Sequence, residues 1–200
     1  MNSNQPHTLP PDYFDAVYRA NTDPWNFEAS AYEHAKYADT LAALPAERLY
    51  ESGFEVGCSL GVLTEMLAPR CRHLLSIDVA EVPLQRARQR CAHLAQVEFQ
   101  RMALPADFPS DRQFDLVVLS EVGYYWALPD LERVATALLA ALQPGGHLLL
   151  VHWTPPVHDY PLTGDEVHDF FLAQNGPNAP LTHVHGHRAE QYRLDLLRRN

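Results

Sequence analysis

The strongest chemical signal in the sequence is a small-residue turn, Glu55-Val56-Gly57-Cys58-Ser59-Leu60-Gly61-Val62-Leu63-Thr64. Small residues at Gly57, Cys58 and Ser59 let a ligand contact the backbone, and a helix after the turn presents unpaired N–H groups to an anionic group. A dinucleotide fingerprint would have glycine where Ser59 and Val62 stand, and a P-loop would end in Gly-Lys-Ser or Gly-Lys-Thr. The turn therefore predicts a ligand loop of another kind.

Three further motifs follow predicted strands or lead into one. Asp78, in Ser76-Ile77-Asp78-Val79, lies about twenty residues after the turn, where a carboxylate can accept both hydroxyls of a ribose. Alone, such an aspartate more often caps a helix or forms a turn. The other motifs are Ser120-Glu121-Val122-Gly123-Tyr124-Tyr125-Trp126 and Gln143-Pro144-Gly145-Gly146. Strand ends of a parallel sheet share one edge, so these motifs are expected to converge on a nucleoside ligand.

The elements that position these motifs alternate between strand and helix. Apolar runs predict strands at 51–56, 73–78, 96–101, 114–120 and 147–153. Helical spacing predicts helices at 13–18, 32–44, 64–68, 83–94, 131–142 and 167–174. The helix at 131–142 is closed by Pro144-Gly145-Gly146. Two last strands, at 181–187 and 191–198, are too close for a crossover helix and must pair antiparallel. We expect an α/β, doubly wound, mostly parallel seven-stranded sheet with an antiparallel terminal hairpin.

Composition sets the outer limits. The 200 residues are 46% hydrophobic and carry a formal charge of -10, which fits a single packed domain and disfavours nucleic acid as a partner. Cys58, Cys71 and Cys91 form an odd set without CxxC spacing, which favours reduced thiols in the cytoplasm. Residues 1–12 do not resemble a secretory signal, and apolar stretches are shorter than a membrane span needs.

The motif series resembles that of class I S-adenosylmethionine (SAM)-dependent methyltransferases over about residues 50–153. The resemblance implies their Rossmann-like fold, with an N-terminal helical lid segment at 1–45 and a core at 46–200. It also implies SAM as cofactor and S-adenosylhomocysteine (SAH) as product. The implied cofactor-binding residues are Trp25, Lys36, Glu55, Gly57, Cys58, Ser59, Asp78, Val79, Met102, Ala103, Ser120 and Glu121.

A narrower resemblance is to the NodS-like group, named for nodulation methyltransferases that N-methylate the free amine of a deacetylated chito-oligosaccharide. The sequence resembles still more closely the methyltransferase domains that are fused or adjacent to PIG-L-type deacetylases. These similarities imply a small-molecule or saccharide amine as acceptor and association with a sugar deacetylase. They are carried by Asp23-Pro24-Trp25, Tyr32-Glu33 with Lys36, Ser120-Glu121-Val122 with Tyr124-Tyr125, and the stretch from His152-Trp153 to Tyr160-Pro161-Leu162-Thr163-Gly164-Asp165.

The resemblance implies a role for each of the predicted cofactor-binding residues. Gly57, Cys58 and Ser59 would contact the methionine portion of SAM, with Glu55 ordering the loop. Asp78 would hold the ribose. Where the family commonly has an aspartate that accepts the adenine amino group, this sequence has Met102, so adenine would rest on Met102 and the Ala103 N–H.

Three residues at the sulfonium end each have a functional and a structural interpretation. Trp25 is either a lid over the sulfonium or a staple that anchors the N-terminal helix. Lys36 either pairs with the cofactor carboxylate or, as is more usual for a lone lysine on an amphipathic helix, is solvated. Glu121 either offers a negative field to the sulfur or is an exposed helix-start residue.

An amine acceptor needs a group that takes or relays its proton, since an aliphatic ammonium has a pKa near ~10. His152, at the end of the fifth predicted strand, is the leading candidate, with Tyr124 facing it and His168 as a weaker alternative. A strand-end histidine is more often a satisfied structural group. His183, His185 and His187 share a strand face without an evident carboxylate partner, so no metal is expected.

Three other functions stay open at this point. A hydroxyl acceptor would make the protein an O-methyltransferase. An NAD(P)-binding reductase is disfavoured by Ser59 and Val62. A chain that keeps the fold only to bind a deacetylase or glycosyltransferase would bind SAM without transferring its methyl group.

Overall fold

The computed structural model describes residues 7–176 and 178–200. Residues 1–6 lie outside this description. They belong to the predicted lid segment 1–45 and to the stretch 1–12 that is expected not to be a secretory signal. The helices are α1 (Pro11–Ala20), α2 (Ala31–Ala42), α3 (Val62–Leu67), α4 (Glu81–Arg90), α5 (Leu128–Ala141) and α6 (Gly164–Leu172). The strands are β1 (Gly53–Val56), β2 (Leu74–Asp78), β3 (Val97–Arg101), β4 (Phe114–Ser120), β5 (Leu142–Trp153), β6 (Leu181–Arg188) and β7 (Tyr192–Arg199).

The strands form one sheet in the order β3-β2-β1-β4-β5-β7-β6. The first five are parallel, as crossover helices require, and β7 runs antiparallel to both β5 and β6. Residues 189–191 are too short for anything but a hairpin turn. The predicted doubly wound sheet with its terminal hairpin is confirmed.

Both faces of β4 are covered, which explains its unbroken apolar sequence. Side chains alternate along a strand, so Leu116 and Val118 join the layer beneath α1, α2 and α3. Val117 and Leu119 join the opposite layer, beneath α5 and α6. The core therefore consists of two apolar layers with the sheet between them.

The N-terminal helices lie across the carboxyl ends of the strands. Phe14 and Tyr18, four residues apart, give α1 one buried stripe. The Leu9 N–H donates to the Tyr125 carbonyl (2.9 Å), which ties the start of the segment to the turn after β4. Ser30 caps α2 by accepting from the Glu33 N–H (3.3 Å).

The stretch 143–146 differs from its prediction as a helix-closing turn. α5 ends at Ala141 and β5 begins at once, with Leu142 opposite Phe114. The register then shifts, and His147 pairs with Leu116. Pro144 has no N–H for the ladder and Gly145 has a φ of 76°, so these residues form an irregularity within the strand. In the described ranges, no helix is long and apolar enough to cross a membrane.

Candidate active site

A pocket of about 630 Å³ opens at the carboxyl ends of β1, β2 and β4. β1 is the point where the strand order reverses, and open α/β sheets bind ligands in the crevice at such a point. α1, α2 and the loop between them cover the pocket. The residues predicted to bind a cofactor all line it, together with Tyr124: Trp25, Lys36, Glu55, Gly57, Cys58, Ser59, Asp78, Val79, Met102, Ala103, Ser120 and Glu121.

The loop after β1 is a tight turn with three residues at positive φ: Gly57 (80°), Ser59 (48°) and Gly61 (75°). The N–H groups of Gly57 and Cys58 both donate to the Ile77 carbonyl, at 2.8 and 2.9 Å. A Cβ at Gly57 would lie 2.1 Å from Val122 Cγ1, so only glycine fits there. Ser59 adopts the left-handed conformation despite its side chain, which places strain at the loop tip.

Glu55 is fully buried beneath this loop. Its Oε2 accepts from the hydroxyls of Thr64 (2.6 Å) and Ser76 (2.7 Å), so one carboxylate joins β1, α3 and β2. Burial raises the pKa of Glu55 to about 7, with the two hydroxyls opposing the rise. The predicted loop-ordering role agrees with these contacts.

Asp78 fastens the tip of the loop to the end of β2. Its Oδ2 accepts from the Ser59 N–H (2.9 Å) and its Oδ1 accepts from the Ala80 N–H (2.9 Å). Burial raises the pKa of Asp78 to about 6, although these backbone bonds favour the charged form. A buried carboxylate thus lines the pocket, and its remaining lone pairs can accept hydrogen bonds from the hydroxyl groups of a ligand.

The corner after β3 is already bonded within the protein. The Met102 N–H donates to the Asp78 carbonyl (3.0 Å), and the Ala103 N–H donates to Asp107 Oδ2 (2.9 Å). The Ala103 N–H that the resemblance assigns to adenine therefore has a partner, which sequence analysis did not identify. Met102 packs against the layer beneath α5 and contributes apolar surface to the pocket.

A buried ionic cluster lies at the end of β4. Lys36 Nζ contacts Glu121 Oε1 at 2.6 Å and Glu33 Oε1 at 3.1 Å. Glu121 Oε2 accepts from the Tyr124 hydroxyl (2.5 Å) and the Trp153 N–H (3.0 Å). Burial lowers the pKa of Lys36, but the two carboxylates outweigh burial and raise it, so Lys36 is a cation. Neither Lys36 nor Glu121 is a solvated surface residue here.

The loop between α1 and α2 presents an aromatic cover. Asp23 accepts from the N–H groups of Phe27 (2.8 Å) and Glu28 (3.0 Å), which closes the turn that displays Trp25. The Trp25 ring meets Tyr18 edge-on at 5.6 Å, and the Tyr18 hydroxyl lies 2.6 Å from Ser59 Oγ. Trp25 therefore both packs on the N-terminal helix and lines the pocket.

His152 is not among the pocket-lining residues. It is fully buried, and its Nε2 accepts from the Gly123 N–H (3.0 Å). Its Nδ1 lies 3.1 Å from His168 Nε2, and His168 Nδ1 lies 2.6 Å from Asp195 Oδ2. One arrangement of protons satisfies all of these nitrogen atoms. The neutral His152 ring donates from Nδ1–H to His168 Nε2, and the neutral His168 ring donates from Nδ1–H to Asp195 Oδ2. We call these three side chains the Asp195–His168–His152 relay.

The relay corrects the expectation that His152 meets the acceptor. Burial and the neighbouring His168 hold the pKa of His152 well below its usual range, and its accepting nitrogen is occupied by Gly123. The relay instead fixes the short 3₁₀ turn 123–125, which carries Tyr124. His168, the weaker alternative, is buried in the same relay. His183, expected to lack a carboxylate partner, lies 2.7 Å from Asp195 Oδ1.

Several pocket residues escaped sequence analysis. Tyr18 could have been found from its helical spacing with Phe14, which marks the buried stripe of α1. Tyr32 and Tyr160 belong to motifs that carry the narrower resemblance, but neither they nor Tyr37 were predicted to line the pocket, because their place there depends on contacts between distant elements.

The sheet order and the crevice at its switch point are those of the class I SAM-dependent methyltransferase fold. The model of the nodulation protein S (NodS) family matches residues 17–150, and the chain belongs to that family. The predicted resemblance to the NodS-like group is confirmed, and the closer likeness to domains associated with PIG-L-type deacetylases stays a prediction.

Relatives of known name agree with this assignment. Nodulation protein S of Rhizobium tropici is 34% identical over 131 residues, which are 65% of this chain and 55% of that protein. Nodulation protein S of Sinorhizobium fredii is 35% identical over 133 residues, 65% of this chain and 60% of that protein. The matched region is therefore less than two thirds of either relative.

A solved structure extends the similarity to almost the whole chain. The crystal structure of the N-methyltransferase NodS from Bradyrhizobium japonicum WM9, in complex with SAH, superposes with a TM-score of 0.79 and 25% identity. The superposition covers 92% of this chain and 96% of that one.

Proposed function

We propose that this protein transfers a methyl group from SAM to the nitrogen of a small-molecule or saccharide amine. The observation that carries the proposal is the likeness to an N-methyltransferase crystallised with SAH, over 92% of this chain. The pocket suits such a cofactor chemically. Asp78 offers a buried carboxylate to a diol, and Gly57, which has no side chain, lines the same pocket.

The residues proposed to hold SAM follow from their positions. The backbone of Gly57, Cys58 and Ser59 would bind its methionine portion, and Asp78 with Val79 its ribose. Met102 and Ala103 would form the adenine side. When bound, SAM supplies an electrophilic methyl group on a sulfonium sulfur.

The protein's own contribution is orientation and exclusion of water. We assign Trp25, together with the described part of the N-terminal segment 1–45, the role of a lid over the pocket. Ser120 and Glu121 would lie at the sulfonium end, where the Glu121 carboxylate favours positive charge. Two of the three N–H groups of Lys36 Nζ donate to Glu121 and Glu33, which leaves one to donate to the cofactor carboxylate. Tyr124, whose hydroxyl donates to Glu121, would contact the acceptor as a catalytic residue.

A saccharide amine also suggests where the protein acts. The free amine of an amino sugar arises by deacetylation, so we place a sugar deacetylase immediately before this protein, as an associated or sequential enzyme. A cytoplasmic location suits Cys58, Cys71 and Cys91, which are buried as free thiols.

A methyl-transfer assay tests this function. Labelled SAM would be offered with deacetylated chitotetraose and, in parallel, with its N-acetylated form. We expect label on the deacetylated sugar only. Transfer to both sugars would indicate a hydroxyl acceptor, and SAH binding without transfer to any amine would contradict the proposed activity.

The loop conformation predicts the effect of Gly57→Ala. A methyl group there meets Val122 Cγ1 at 2.1 Å at a φ of 80°, so the loop must move and SAH affinity should fall about 100-fold. The double variant Gly57→Ala/Val122→Ala removes the collision but keeps the φ strain, and should recover part of the affinity. Calorimetric titration with SAH measures both. No recovery in the double variant would show that Val122 is not the obstacle.

The pKa of Asp78 predicts how SAH binding depends on pH. Below about 6 the carboxyl becomes protonated and loses an acceptor for ribose hydroxyls. Affinity for SAH should therefore decrease by about tenfold per pH unit as the pH falls further. Titrations between pH 5 and 7.5 check this, and Asp78→Asn should remove the slope. An unchanged slope in that variant would assign the titration to another group.

A further inference from the structure

The pocket has a second half that the cofactor assignment leaves unused. The proposed SAM residues lie over β2, β1 and β4, whereas Tyr32, Trp153 and Gln191 line the pocket over β5 and β7. The Tyr32 ring meets Trp153 edge-on at 5.9 Å and Tyr192 at 6.3 Å. α2 therefore forms one wall of a compartment beside the sulfonium end.

This compartment contains unsatisfied polar atoms. In the described part of the chain, the buried side-chain atoms without a hydrogen-bond partner are the Tyr32 hydroxyl and Glu33 Oε2. Both belong to residues that line the pocket. Glu33 Oε2 is nevertheless paired with the Lys36 ammonium, 2.9 Å away. The Tyr32 hydroxyl has no such contact, and since buried polar groups nearly always have partners, it is available to a ligand, as are the remaining lone pairs of the Glu33 carboxylate.

The charges beside these atoms favour a cation. Lys36 is a single ammonium between the carboxylates of Glu33 and Glu121, so the ionised cluster carries one negative charge in excess. An excess charge is costly when its surroundings exclude water. With SAH, which lacks the sulfonium charge of SAM, a ligand ammonium would balance it. Lys36 Nζ already lies over the face of Tyr32, 5.3 Å from its centroid, so the ligand would meet the Tyr32 hydroxyl.

From these observations we propose that Tyr32 and Glu33 form the subsite that binds the amino group of the acceptor, which arrives as an ammonium. The ammonium passes one proton to the Glu33 carboxylate, and the nitrogen lone pair that is freed can then take the methyl group. The inference rests on the proposed function and deepens it: the acceptor is recognised by its positive charge, and an N-acetylated or hydroxylated analogue lacks the group that balances the cluster.

The test is calorimetric titration of the SAH-loaded protein with three tetrasaccharides that differ at C2. Deacetylated chitotetraose has an ammonium there, chitotetraose an acetamide and cellotetraose a hydroxyl. We expect the wild type to prefer the deacetylated sugar by about tenfold or more. Glu33→Gln should reduce that affinity about tenfold and leave cellotetraose unchanged, and Tyr32→Phe should reduce it by a smaller factor. Glu47→Gln, at an exposed glutamate, is the matched control.

The SAH dissociation constant of each variant reports on the cofactor half of the pocket. It should stay within about twofold of wild type in Tyr32→Phe and Glu47→Gln, whereas Glu33→Gln is expected to change it as well, because Glu33 also holds Lys36. Equal binding of the three sugars, or wild-type affinity in both α2 variants, would overturn the subsite. Methyl transfer by wild type with an unchanged KM in Glu33→Gln would reject the subsite and keep the proposed function. Binding of the deacetylated sugar that depends on Glu33, with no methyl transfer by wild type, would keep the subsite and reject the proposed function.

Discussion

Replacing Asp78 with alanine is expected to weaken SAH binding about 100-fold, because two charge-assisted hydrogen bonds to a ribose would be lost. Stability should change little. Burial raises the pKa of Asp78 from 3.8 to about 6, which corresponds to about 3 kcal/mol by which folding disfavours the charged form at neutral pH. Freeing the N–H groups of Ser59 and Ala80 opposes that gain by about 1–3 kcal/mol.

Calorimetry with SAH and urea unfolding of the ligand-free protein separate the two effects. Asp111→Ala removes an exposed carboxylate from the loop before β4 and serves as the control. Wild-type SAH affinity in Asp78→Ala would refute the ribose assignment. A large loss of stability together with affinity would instead make Asp78 a structural clamp for the loop.

His152→Ala is expected to lower the free energy of unfolding by about 3–5 kcal/mol. The substitution leaves a cavity in a fully buried site, strands the Gly123 N–H and removes the donor to His168. His152→Gln should recover part of the loss, because its carbonyl can accept from Gly123. The control His158→Ala alters an exposed histidine and should have no effect.

Denaturant unfolding measures this loss, and kinetics distinguish positioning from catalysis. His152→Ala should reduce activity because it disturbs the 3₁₀ turn 123–125. His152→Gln should recover activity although glutamine cannot act as a base. A His152→Ala protein with normal stability and a slow chemical step at saturating SAM would restore His152 as a proton acceptor.

The fold could be predicted because its signals are local. Continuous apolar runs require strands that are covered on both faces, and the short connection before Tyr192 permits only a hairpin. The 143–146 segment was misplaced because Pro-Gly-Gly favours a turn equally at a helix end and inside an irregular strand.

The orientation of His152 could also have been predicted from strand periodicity. Leu148, Leu150 and His152 alternate along β5, and the two leucines belong to the layer beneath α5 and α6. His152 therefore points into that layer. Its position at the strand end suggested the ligand edge, but the side-chain direction determines what it meets.

The ionic cluster had no local signature. Lys36 and Glu121 lie 85 positions apart and meet only when α2 packs over the end of β4. The same holds for the Tyr32 hydroxyl, whose lack of a partner is visible only once its neighbours are known. Such features arise from tertiary packing rather than from sequence pattern.

The relay also has a consequence for the order in which the site is completed. The crevice formed by β1, β2 and β4 needs only residues from the first part of the core. The turn that carries Tyr124 is locked through His168 by Asp195, a residue of β7. During synthesis on the ribosome, the strands that border the crevice are therefore all made before β7, and the turn that carries Tyr124 gains its last hydrogen-bonded support only when the terminal hairpin docks.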